Sequence, residues 1–128
     1  METIITLEFG GNKFAAHYPN VGEKMKIEQL KLILSENTYA NLVAADTVQG
    51  NYLLDFIDAF SYLSVCCPEM KLDVKQFKDY NVKIEKTITL LFKKFFFPWY
   101  IQIEEAVMTA LTEDTESIAK QDKKESAE

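Results

Sequence analysis

Few residues of this chain carry side chains that could do chemistry, and their spacing decides what each could do. His17 is the sole histidine. In the alternating run 13–18 it faces away from Phe14, Ala16 and Tyr18, and no acid or nucleophile stands next to it in sequence. Proton transfer needs a partner held at hydrogen-bond distance, so a solvated edge histidine is expected. Cys66 and Cys67 are the only cysteines and they are adjacent, a spacing that cannot meet disulfide geometry without distorting the backbone. They close a helical run, where the negative end of the helix dipole disfavours a thiolate, and they read as small buried apolar residues. Asp55 and Asp58 are one helical turn apart and could touch a cation, but acids at that spacing usually form a wet helix face. Glu104 and Glu105 point about 100° apart on a helix, which is wrong for a shared ligand site. Gly10-Gly11 joins two strands and opens no helix, so it is a turn and not a phosphate cradle. No catalytic residue, metal site or cofactor is expected.

The elements that must position these residues follow from periodicity. Residues 3–9 alternate, with Ile5, Leu7 and Phe9 on one face, and residues 13–18 resume the alternation after Gly10-Gly11-Asn12, which predicts a β-hairpin. Pro19 ends it, and residues 19–22 read as an exit loop. From Glu23 the period changes to a helix through Ile27, Leu30 and Ile33 or Leu34. A short second helix carries Tyr39, Leu42 and Val43. Asp46 or Thr47 then offers an N-cap to a helix with Tyr52, Phe56, Phe60 and Leu63 in step, which Pro68 ends. Residues 69–80 are a connector with one helical turn. A long last helix covers 82–111, kinked near Pro98 because proline lacks an amide donor and collides with the preceding turn. The expected fold is α+β: an N-terminal hairpin followed by a bundle of three to four helices. Residues 1–111 form a single domain, and 112–128 an acidic, solvated tail.

Composition narrows the function classes. The 128 residues are enough for one core without metal or disulfide staples. The formal charge is −6 and every one of the 14 basic residues is lysine. An acidic chain without arginine is poorly suited to displace phosphate counterions or to read bases, so no nucleic acid is expected as partner. Paired adjacent thiols with no second pair fit a reducing compartment. The chain shows no leader and no apolar run long enough for a membrane span, so a cytoplasmic protein without a membrane partner is expected.

The richest segment is Leu90-Leu91-Phe92-Lys93-Lys94-Phe95-Phe96-Phe97-Pro98-Trp99-Tyr100-Ile101. On a regular helix, Ile84, Ile88, Leu91, Phe92, Phe95, Trp99 and Ile103 share one broad apolar face, read as core. Leu90, Phe97, Ile101 and Met108 fall on the other side, framed by Lys93 and Lys94. A helix apolar on two sides wants two neighbours. Leu90, Lys93, Lys94, Phe97, Ile101 and Met108 are therefore the candidate partner-binding residues.

Several stretches also carry a family resemblance. The hairpin Phe9-Gly10-Gly11-Asn12-Lys13-Phe14, the exit His17-Tyr18-Pro19-Asn20-Val21-Gly22, and the segments Ile27-Glu28-Gln29-Leu30-Lys31 and Ser35-Glu36-Asn37-Thr38-Tyr39-Ala40-Asn41-Leu42 resemble small proteins of tailed phages and prophages of gut Bacteroidetes. Leu54-Asp55-Phe56-Ile57-Asp58, Cys67-Pro68-Glu69 and Pro98-Trp99-Tyr100 fit as well. Over residues 3–105 the chain is similar to tail assembly chaperones. The resemblance implies a non-enzymatic tail-morphogenesis protein in the cytoplasm of a host bacterium. Its implied partner is a phage protein such as the tape-measure or tail-tube protein, bound through the apolar stripe. A structural virion or adaptor subunit, forming a homo-oligomer through the same stripe, is the alternative.

Overall fold

A computed structural model describes residues 3–127, and the surroundings of the side chains for 3–115. It shows an α+β chain in which a hairpin leads into a helical bundle. Strands β1 (Ile4–Phe9) and β2 (Asn12–His17) pair antiparallel with Phe9 opposite Asn12, leaving Gly10 and Gly11 as a two-residue turn. Both glycines have positive φ, 59° and 81°, the backbone that matches such a turn to the strand twist. Replacing both by valine puts β-branched side chains into the left-handed region, at roughly 1–2 kcal/mol each. A denaturant midpoint unchanged in that double variant would contradict the turn.

One face of the hairpin carries the sheet's apolar load. Leu7 and Ala16 are buried, with Ile5, Phe9, Phe14 and Tyr18 packed around the same core. A lone hairpin is marginal in water, so this face must be covered by the helices. Helix α1 (Val21–Leu34) starts two residues earlier than periodicity predicts. Val21 and Gly22, expected in a loop, are helical because Asn20 and Glu23 form a reciprocal capping box. Helix α2 (Tyr39–Ala45) follows, and Thr47 caps α3 (Val48–Cys66) by accepting from the Gly50 amide at 3.0 Å. Gly50 is buried, and a Cβ there would stand 2.7 Å from the Thr47 hydroxyl oxygen. The capped turn therefore needs glycine.

Helix α3 is the centre of the molecule, apolar around most of its circumference, with Leu54, Phe56, Ile57, Phe60, Leu63 and Cys66 buried. Tyr52, expected in step with this core, is instead 51% exposed, with the Lys86 ammonium 4.3 Å from its ring centroid. After Cys66 the connector holds two 3-10 helices, Pro68–Met70 and Val74–Asp79. The second brings Phe77 to stack on Phe56 at 4.9 Å.

The final helical rod has three parts: α4 (Val82–Leu91), a π turn at Phe92–Phe96, and α5 (Phe97–Ala127). In the π turn the Phe97 amide donates to the Phe92 carbonyl, five residues back. The wide turn ends one residue short of Pro98, whose ring and missing donor would disrupt a regular ladder. Helical backbone continues to Ala127, through the segment assigned by sequence to a tail from Thr112. The side chains of 116–128, Ile118 among them, lie outside the described residues.

Candidate interaction site

The residues with chemical potential are braces. His17 Nε2 lies 2.5 Å from Glu23 Oε2, so the partner absent from the local sequence comes from α1. Glu23 also accepts the Asn20 amide through Oε1. Its carboxyl is held below the usual range, first by His17 and then by that amide. The arrangement ties the end of β2 to the start of α1. Cys66 and Cys67 are fully buried, and burial pushes the Cys66 thiol up to about 12, the opposite of nucleophile activation. The two helix acids diverge: Asp55 accepts from Lys93 Nζ at 2.9 Å, while Asp58 accepts from the Tyr39 hydroxyl at 2.6 Å. Burial raises the Asp58 carboxyl despite the opposing effects of Tyr39 and Lys31. Among the described residues no group of three or more His, Cys, Asp or Glu side chains could hold a metal ion.

The aromatic segment is rearranged by the π turn. Phe95, assigned to the core by regular helical spacing, is 59% exposed, and Phe96 takes its place at 0%. Tyr100 is buried where Trp99 was expected, and Trp99 is only partly buried. The buried positions Ile88, Phe92, Phe96 and Tyr100 are spaced by four, the drift of a helix that takes in one extra residue. Phe96 sits among Tyr62, Phe92, Trp99 and Tyr100, with ring centroids 5.6–6.1 Å away.

The same extra residue divides the proposed stripe. Positions seven apart across a π turn are rotated by roughly one residue, about 100°. Leu90 stays exposed on α4, and Lys93 reaches across to Asp55 on α3. Lys94 faces solvent. Phe97, at the edge of the aromatic cluster, stacks on Tyr100 with ring planes 10° apart. Ile101 is partly buried against the core, and Met108 is 60% exposed farther along α5. Phe97 and Ile101 are thus neighbours, while Leu90 and Met108 stand apart from them.

Exposed Phe95 gives the surface a different centre. Together with Leu91, Thr6, Leu7 and Glu8 it lines a groove of about 450 Å³ between the π turn and β1. Leu90 is exposed five residues before Phe95. Only the four-residue spacing Ile88, Phe92, Phe96, Tyr100 hinted at this in the sequence.

A polar tie, also missed by sequence reading, fixes the root of α5. Glu104 Oε1 accepts from the Tyr18 hydroxyl and from Lys24 Nζ, the latter at 3.0 Å. These bonds hold the Glu104 carboxyl below its usual range, the Tyr18 bond first, and Glu104 in turn raises Lys24. Beyond this tie every described side chain of 105–115 is exposed, including Val107, Met108 and Leu111. On the far face of α1, Val21, Met25, Leu32 and Ile33 are exposed too. Among the described residues no helix is long and apolar enough to cross a membrane.

Comparison with protein-family models, curated proteins and solved structures finds no match.

Proposed function

We propose that this chain is a non-catalytic protein-binding module of the tail assembly chaperone kind, holding an apolar helix of its client in the Phe95 groove. The observation that carries the reading is Phe95 itself. A large aromatic ring is held in solvent beside an identical residue that is fully buried, at a π turn, an irregularity frequent at functional sites. Apolar side chains that remain exposed in a polar frame suit a partner surface. The groove has a floor of Leu7 and Leu91 and a rim of Thr6 and Glu8, a form that accepts one face of an amphipathic helix. The segment resemblance supplies the client class: a tape-measure protein, kept soluble in the host bacterial cytoplasm until tube subunits enclose it.

The reading is tested by co-expressing a predicted coiled-coil segment of a tape-measure protein with the wild-type chain and with Phe95→Ser. The variant is expected to keep its stability within about 1 kcal/mol, because exposed positions tolerate change, and to lose the soluble client. A variant that folds and still retains the client removes the groove from the function. The second reading, a permanent structural subunit that self-associates, is favoured by the exposed apolar run of α5. Mass spectrometry of finished particles separates the two, since a chaperone leaves the particle and a subunit stays.

A further inference from the structure

Two apolar faces remain that the Phe95 groove does not use, and they match each other. The first is the outer side of α1. Val21, Met25 and Leu32 fall within about 40° on a helical projection, roughly opposite the buried Ile27 and Leu34. Val21 and Met25 line a shallow depression of about 370 Å³ together with Lys24, Glu28 and Gln29. The second face is the arm of α5, where Val107, Met108 and Leu111 stand in solvent beyond the Glu104 tie. A helix with no packed face is marginal in water, so an arm of this length gains most of its stability from whatever covers it.

We infer that the α5 arm of one copy packs along the outer face of α1 of a second copy, and reciprocally, to form a two-fold dimer. Three observations select a second copy as the occupant. Charge is complementary on balance: residues 105–116 contain four acids and no base, with Glu105 and Asp114 flanking the arm's apolar stripe, whereas that of α1 is bordered by two lysines, Lys24 and Lys26, against one acid, Glu28. Length is sufficient, since residues 105–127 at 1.5 Å per residue extend roughly 35 Å and the 14 residues of α1 roughly 21 Å. Continuity also holds. Glu104 binds Lys24 of its own chain, so each arm departs beside the α1 face that its partner's arm covers, as a closed isologous pair requires.

The test is the native mass of the full chain by size-exclusion chromatography with light scattering. The wild type is expected at twice 14.7 kDa. Met25→Glu on α1 and Met108→Glu on the arm should each raise the dimer dissociation constant about tenfold or more, with unchanged far-ultraviolet circular dichroism. Oxidising a mixture of Met25→Cys and Met108→Cys copies should give a disulfide-linked pair, the native thiols being buried. A monomeric wild type overturns the inference. So does a dimer that Met108→Glu dissociates while Met25→Glu and the mixed cross-link have no effect, which would pair arm with arm. Phe95 takes no part in either arm or α1 face, so failure here and failure of the client groove are distinguishable.

Discussion

Phe96→Ala is expected to lower stability by about 3–5 kcal/mol, the cost of emptying a fully buried aromatic site. Phe96 is 0% exposed and meets four aromatic rings. Tyr62 comes from α3, and the other three come from the π turn and α5. Its removal takes away the ring through which the last helix grips the centre of the molecule. Native domains are stable by only about 5–15 kcal/mol, so the variant should melt far below the wild type. Phe95→Ala, one residue away, should change the unfolding free energy by less than about 1 kcal/mol. The contrast between adjacent, chemically identical residues makes the pair diagnostic. Equal losses would show that the π turn does not set the register.

Insertion and deletion at Lys94 should have opposite outcomes. Deleting one residue from a regular helix rotates everything beyond it by about 100°. In the π turn the extra residue is already present, so deleting solvent-facing Lys94 can restore an α ladder while Phe92, Phe96 and Tyr100 keep their directions. Inserting an alanine after Lys94 instead turns either Ile88, Leu91 and Phe92 or Phe96, Tyr100 and Ile103 out of the core. Each such side chain contributes roughly 1.5–3 kcal/mol by burial, so the insertion should unfold the protein or detach the last helix. Chemical denaturation of the two variants measures this. A deletion as damaging as the insertion would contradict the role assigned to the wide turn.

The order of elements was legible in the sequence because each shows a clear period or a breaker. Alternation marks β1 and β2, Gly10-Gly11 the turn, and Pro68 the end of α3, while its cap is narrowed to Asp46 or Thr47, of which the structure uses Thr47. The start of α1 escapes the periodicity for a local reason: Pro19 and Gly22 signal a loop, although Asn20 and Glu23 have the spacing of a capping box. Phe95, placed in the core by regular spacing, is exposed for a deeper one. A uniform helical period fails across a segment where ladder bonds span five residues, and a run of three phenylalanines offers no polar residue to reveal the slip. Pro98 announced an irregularity but not its kind. The Glu23 partner of His17 and the tie among Tyr18, Lys24 and Glu104 were invisible for another reason. The second spans 86 positions, and pairing at that distance is decided by packing, with no trace in local spacing.

That tie between the sheet's exit and the last helix also sets an order of events at the ribosome. The inward face of the hairpin is made first, yet its cover includes Leu91 and Phe92, and its fastening includes Glu104. Chains emerge at about 5–20 residues per second, so Leu7 and Ala16 wait several seconds, as a nascent strand pair, for the segment that shelters them. The helices between them can dock on one another meanwhile, but the fold closes only when the segment from Leu91 to Glu104 has been released.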